Sequence, residues 1–182
     1  MEKKKLMPCL YMRDKIAVRG FTDKEIFADG DLLRLSGIYN HSGADVLLVF
    51  DLSETDGEHE EAIHELIRVC GVSEVPVACG GRVRRLEDVK KILYAGCQKV
   101  ILNFSRADNV LLAKEAAKRF GKEKLWASCF SLEEAETNRD VLESDLSAVL
   151  CPSFLAEDMA KITGLPIIML EDGDTPDAVQ ML

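Results

Sequence analysis

Two glycines, Gly80 and Gly81, follow an apolar run at residues 75–79, and Asn103 closes a second apolar run at residues 99–102. Glycine at the carboxyl end of a strand lets the backbone approach a phosphate and present its N–H groups to it. The same pair also serves as a plain tight turn, and the glycines alone leave both readings open. Asp51 ends a third apolar run, ADVLLVFD. A carboxylate at that point can orient a ligand, or it can cap the turn that follows. His59 and His64 suggest a metalloprotease helix at first sight, but they stand five residues apart. Two histidines share a helix face at a spacing of about four. The pair is therefore discarded as a zinc motif, and no metal site is expected.

These residues need elements to hold them. Behind the glycines, Leu86, Val89, Ile92 and Leu93 recur at helical spacing, with Gly96 as a stop. Strand, glycine turn, helix and strand in that order predict a parallel sheet, because parallel neighbours need a crossover. The rest of the chain repeats the alternation. Further strands are expected at residues 6–11, 44–51, 124–129, 148–151 and 165–170. The run at 44–51 shows almost no alternation, as a strand covered on both faces should. Helices are expected from Asp31 to about residue 41, then at 59–69, 109–120 and 154–163. The acidic stretch 132–145 reads as one helix or two short ones, and a last helix is expected to begin at Thr175 and run to Leu182. Residues 13–22, with Ile16, Val18 and Phe21, read as a long loop with a small extended excursion. Seven strand–helix units suit a (β/α) barrel or a doubly wound open sheet, and composition does not choose between them.

The chain has 182 residues, 47% of them apolar, enough for one sizeable core. Its net charge of −9 and pI near 4.9 argue against nucleic acid as a partner. Basic clusters at residues 3–5 and 82–85 read as solvated faces. No run of about 18 apolar residues suggests a membrane span, and no signal-peptide core is visible, so a cytoplasmic chain is expected. The six cysteines form no C-x-x-C pair and no zinc-ribbon spacing. Cys9, Cys79, Cys129 and Cys151 sit in or at the end of strand-like runs and read as reduced core thiols.

Three segments, MPCLYMRDKIAVRGF, SGADVLLVFDLS and VPVACGGRVRRLEDVKKILYAGCQKVILN, recur in the order and spacing of a known family. The chain resembles the histidine-biosynthesis barrels, those of the cyclase subunit of imidazole glycerol phosphate synthase and its isomerase sibling. The resemblance is strong from Leu6 to about Gly121 and weak beyond. It implies a TIM-type (β/α) barrel of the ribulose-phosphate-binding kind, incomplete at about seven units. In that family two carboxylates face one another across the barrel mouth, after strands one and five, as acid and base. Their places here fall on Tyr11 and Phe130. Phenylalanine moves no proton, and tyrosine, with an ordinary pKa near 10, is a poor base at neutral pH.

The phosphate grips of the family are altered as well. Its third strand-end glycine is Arg82 here, which forks onto a phosphate or simply fills the pocket. Asn103 keeps its place, but the following residue is Phe104. Arg19 stands where the family has a mobile-loop lysine, and Asp51 where it has its strand-two aspartate. After the seventh strand come Glu171, Asp172 and Asp174, which would repel a second phosphate. The eighth strand is missing from the pattern. The resemblance thus implies no catalytic residue and no cofactor, and a ligand site of Arg19, Asp51, Gly80, Gly81, Arg82 and Asn103. The expected domain is a single incomplete barrel over residues 1–182, the N-terminal part of a longer histidine-pathway polypeptide. It most resembles the degenerate domain fused ahead of phosphoribosyl-AMP cyclohydrolase and phosphoribosyl-ATP pyrophosphatase modules. Its role would be scaffold or weak phosphate-ligand binding. The implied partners are a phosphorylated small molecule, a second copy of the chain, or fused or separate pathway modules. Two rivals stay open: a lyase or isomerase rebuilt around Asp51, Arg82, Asn103 and either Cys79 or Tyr11, and a purely structural partner. A barrel one unit short is also expected to expose strand edges beside the gap.

Overall fold

The computed structural model describes residues 5–171 in full and the backbone of residues 178–181. Strand β1 (Lys5–Arg13) turns back through Asp14 and Lys15, both at positive φ, into the short antiparallel β2 (Ile16–Val18). Helix α1 (Leu32–Asn40) follows, its N-cap Asp31 accepting from the N–H groups of Leu33 and Arg34. The remaining chain alternates strictly. β3 (Leu47–Asp51) leads to α2 (Asp56–Val72), and β4 (Val77–Gly81) leads to α3 (Leu86–Ala95). β5 (Lys99–Asn103) leads to α4 (Ala107–Phe120), and β6 (Leu125–Ser128) to α5 (Leu132–Thr137) and α6 (Arg139–Asp145). β7 (Val149–Pro152), α7 (Ala156–Thr163) and β8 (Ile167–Leu170) complete the alternation. Gly96 and Gly164 end their helices in the left-handed conformation that glycine favours.

Seven strands, β1 and β3 to β8, are parallel and neighbour one another in chain order. That order excludes the doubly wound alternative, whose chain reverses direction within the sheet. Alternate residues of each strand face opposite ways. Met7, Cys9, Tyr11, Leu48, Phe50, Ala78, Ile101, Trp126, Leu150 and Ile168 fill the lumen as one cluster. Leu10, Met12, Leu47, Val49, Cys79 and Leu102 face the other way and pack beneath the helices. The fold is a TIM-type (β/α) barrel with seven parallel units rather than eight. Cys9, Cys79, Cys129 and Cys151 are buried in it as expected, and none of the six cysteines forms a disulfide.

The eighth position departs from the sequence reading. In place of a terminal helix, Ala178–Met181 form β9, antiparallel to β8 on one side and to β1 on the other. The expected open edges beside the gap are thus both paired. Residues 175–177 and 182, also assigned to that helix, lie outside the described residues. The physical reason is local weakness: a four-residue segment has too little helix stability of its own, and two waiting ladders supply its hydrogen bonds.

The mouth formed by the carboxyl ends of the strands depends on one close backbone approach. Gly81 adopts φ +106°, and a Cβ on it would lie 2.0 Å from the carbonyl oxygen of Asp51. Gly81→Ala should therefore destabilise the fold by at least about 2 kcal/mol in urea unfolding. Gly71 in α2 has open space around it. Gly71→Ala should instead leave stability unchanged or raise it by up to about 1 kcal/mol. A Gly81→Ala variant as stable as the wild type would contradict this account of the β3–β4 contact.

Candidate functional site

The strand ends surround a cavity of about 670 Å³. One side of it is aromatic. The loop after β2 carries Phe21 back over the mouth, where its ring meets Tyr11 at 4.8 Å, Phe50 at 4.9 Å and Phe130 at 6.3 Å, each edge to face. Tyr11 and Phe50 also stack at 5.6 Å. Such contacts add about 0.5–1.5 kcal/mol each beyond the area they bury. Tyr11 and Phe130 are thus joined through Phe21 by ring packing.

Beside the aromatic side lies a buried ionic line. One oxygen of Asp51 accepts from the backbone N–H and the hydroxyl of Ser53. The other accepts from His59 Nδ1 at 2.6 Å. His59 reaches from the first turns of α2, whose start is set by a capping box between Thr55 and Glu58. On its far side, Nε2 lies 3.6 Å from Asp88 Oδ1, beyond hydrogen-bond length. All three side chains are at most 4% exposed. Burial opposes the imidazolium charge, but Asp51 and Asp88 outweigh it and raise His59 from its ordinary 6.5 to about 9. Burial likewise works against the Asp88 carboxylate; His59 and the N–H groups of Arg84 and Arg85 more than offset it, so Asp88 stays well below the usual range.

The third side is basic. Arg13, Lys24, Arg82, Arg84 and Arg106 face the cavity against only two acids, Asp51 and Glu54. In a chain of net charge −9 this concentrates positive potential at one place. The cations are not equivalent. Arg13 pairs with Glu54 at 2.5 Å, and Lys24 lies 3.9 Å from the same carboxylate. Arg82 donates to the carbonyl oxygens of Ser53 and Glu54 and pairs with Asp56 at 2.8 Å, its side chain 9% exposed. Of its two open roles, this arginine fills the gap and ties the β3–α2 loop to the β4–α3 loop. Arg84 and Arg106 are exposed and have no ion pair among the described residues. Each stands at the start of a helix, α3 or α4, where the helix dipole adds positive character.

Of the residues named from sequence, Asp51, Gly81, Arg82 and Asn103 line this cavity together. Gly80 sits one step lower, against Ile101 and Phe50, where a Cβ would come within 2.9 Å of the Ile101 side chain. Arg19 is not brought to the cavity; it is exposed and pairs with Glu25 at 3.1 Å. Asn103 braces its own loop, its amide oxygen accepting from the Ser105 N–H and its carbonyl accepting from the Asn109 side chain. Glu171 is exposed, and Asp172 and Asp174 lie outside the described residues. Sequence reading passed over His59, Asp88, Arg84 and Arg106. The first was weighed only as half of a metal pair, and Arg84 was read as part of a solvated cluster. Among the described residues no group of three His, Cys, Asp or Glu side chains could hold a metal, and no helix is long and apolar enough to cross a membrane.

Fold and mouth together define a (β/α) barrel whose polar residues gather on the loops after the strands, the face on which barrels of this class carry their sites. The family model for histidine biosynthesis proteins matches residues 5–144. The chain belongs to that family. It is similar to imidazole glycerol phosphate synthase subunit HisF from Staphylococcus aureus strains Newman and MRSA252. In each case identity is 32% over 123 residues, 68% of this chain and 49% of the relative. The matched segment thus spans about half the length of those curated relatives.

The ionic line has a consequence for stability. The fold holds the His59 proton more tightly than the unfolded chain does. Its contribution is therefore complete below about pH 6.5 and is lost as pH rises toward 9. The shift corresponds to something on the order of 3 kcal/mol. Urea midpoints should fall across that window in the wild type and stay nearly flat in His59→Gln. Parallel curves for the two proteins would show that His59 is not held as an imidazolium.

Proposed function

We propose that this barrel binds a phosphorylated small molecule weakly at its mouth and does not perform the cyclase chemistry of the relatives it matches. The observation that carries the first half is the pair of guanidiniums without an ion pair among the described residues, Arg84 and Arg106, near Gly81 and Asn103 on neighbouring loops. Guanidinium suits the planar, forked recognition of phosphate oxygens, and two helix starts reinforce it. The second half rests on the aromatic contact through Phe21 at the two positions, Tyr11 and Phe130, where the resemblance called for carboxylates. Acid–base catalysis needs two groups of suitable pKa within reach of the substrate. A phenyl ring supplies neither proton nor base.

In this reading the pathway chemistry belongs to other modules, cyclohydrolase or pyrophosphatase, fused or separate, and the barrel serves as their scaffold and as a ligand-holding surface. Family membership and the word "subunit" in the names of the Staphylococcus relatives support such a role. The buried placement of Asp51 against His59, and the engagement of Arg82 with the neighbouring loop, speak against a rebuilt lyase or isomerase.

One experiment tests both halves. Inorganic phosphate and ribulose 5-phosphate are titrated into the protein while amide shifts are followed, and ammonia-dependent turnover of the cyclase substrate is assayed on the same sample. Binding near millimolar, about 4 kcal/mol, is expected, centred on residues 81–84 and 103–106. Arg84→Ala and Arg106→Ala should each weaken it several-fold, Arg19→Ala should not, and turnover should match buffer. No shift at the mouth would remove the ligand reading, and measurable turnover would remove the claim of catalytic silence.

A further inference from the structure

We propose that His59 is a positioning residue for the anion-gripping loop, holding Arg84 over the mouth through Asp88. The inference rests on the phosphate reading of the mouth and adds a buried device to it.

A line of close charges, two hydrogen-bonded steps and one 3.6 Å ionic step, runs from the end of β3 to the backbone of Arg84. His59 Nδ1 donates to Asp51 at 2.6 Å. Its Nε2 is buried, aimed at Asp88 across 3.6 Å, and has no hydrogen-bond partner among the described residues. Asp88 in turn accepts from the N–H of Arg84 at 3.1 Å and of Arg85 at 2.9 Å. The loop is therefore held at two points. Asp51 grips its start, through a carbonyl that accepts from the Arg82 N–H at 3.1 Å, and Asp88 grips the turn before α3. The Arg84 backbone is thus fixed while its guanidinium has no ion pair among the described residues. The exposed Arg85 side chain also reaches Asp88, at 3.2 Å, but from the solvent side, where screening weakens it. From within, His59 is the one cation set between the two buried carboxylates among the described residues. Without it, two buried carboxylates lose the cation between them. A buried carboxylate with no partner takes up a proton or moves toward water. The first weakens the bond from the Arg84 N–H and the second breaks it, and both loosen the loop.

The neighbouring loop is built on the same plan, which argues that fixing the backbone while freeing the guanidinium serves the mouth. Buried Asn109 donates to the Asn103 carbonyl at 3.0 Å, and its N–H donates to the Arg106 carbonyl, also at 3.0 Å. Arg106 is again left without an ion pair among the described residues.

The test uses the full chain and sulfate, which stays dianionic throughout the neutral range. Wild type, His59→Gln, Asp88→Asn and the double variant are titrated, with amide shifts of residues 81–84 and 103–106 as the readout. His59→Gln should weaken sulfate roughly fivefold, the scale of one misplaced charge-assisted contact. Because the two act along one line, the double variant should bind no worse than the weaker single variant, whereas independent packing defects would add. Two measurements stand apart from binding. The ¹⁵N spectrum of the wild-type ring at pH 7 should be that of an imidazolium, and hydrogen exchange at the Arg84 and Arg85 amides should speed up selectively in His59→Gln. A neutral ring, or equal sulfate binding in wild type and His59→Gln, would overturn the inference alone. No sulfate shift in the wild type at all would instead overturn the phosphate reading beneath it. If His59→Gln does not fold, the wild-type ring spectrum and the Asp88→Asn titration decide.

Discussion

A single imidazole between two buried carboxylates governs the geometry of this barrel's mouth. Asp51 ends β3, His59 belongs to α2 and Asp88 to α3, so the line ties two successive βα units, β3–α2 and β4–α3, together where their loops diverge. Buried ion pairs contribute little net stability when compared with apolar replacements, since desolvation offsets much of their attraction. What they do impose is arrangement. Each carboxylate spends its remaining oxygen on backbone N–H groups, Ser53 for Asp51 and Arg84 with Arg85 for Asp88. The charges are therefore satisfied only when both loops take the observed path. Gly81 completes the constraint, because no side chain fits between it and the Asp51 carbonyl.

Around that line, the mouth sets an aromatic side against a basic one. Tyr11 and Phe130, linked through Phe21, make an aromatic wall on one side of it. Arg82 is tied to the β3–α2 loop, and Arg84 and Arg106 line the cavity with no ion pair among the described residues. On the proposed reading, such a mouth holds an anion rather than transforming one. The relatives matched here are twice as long as the matched segment, and the activity of the whole protein is a separate matter from what these loops do.

Much of the fold was legible because its signals are local. The glycines, the amphipathic pattern of α3 and the Gly96 stop lie within one unit and agree with one another, so strand, helix and strand fell where expected. The extended excursion before Thr22 is β2, for the same reason. The terminal segment misled because its partners lie far away: Ala178–Met181 becomes a strand only by pairing with β1 and β8. The site was legible in part. Asp51, Gly81, Arg82 and Asn103 were found because strand ends mark the mouth. His59 was not, since its partners stand 8 and 29 positions away and no periodicity joins them. Arg84 and Arg82 look alike in sequence, and only the packing of the β3–α2 loop makes one structural and leaves the other free.

The central claim is that the mouth grips an anion between two loops. It is tested most directly by crystals of the full chain soaked in tungstate, a heavy dianion whose anomalous signal fixes its position without a model of the site. The account predicts a peak bounded by Gly81, Arg84, Asn103 and Arg106. Peaks found only elsewhere on the surface, with the mouth empty, would contradict it.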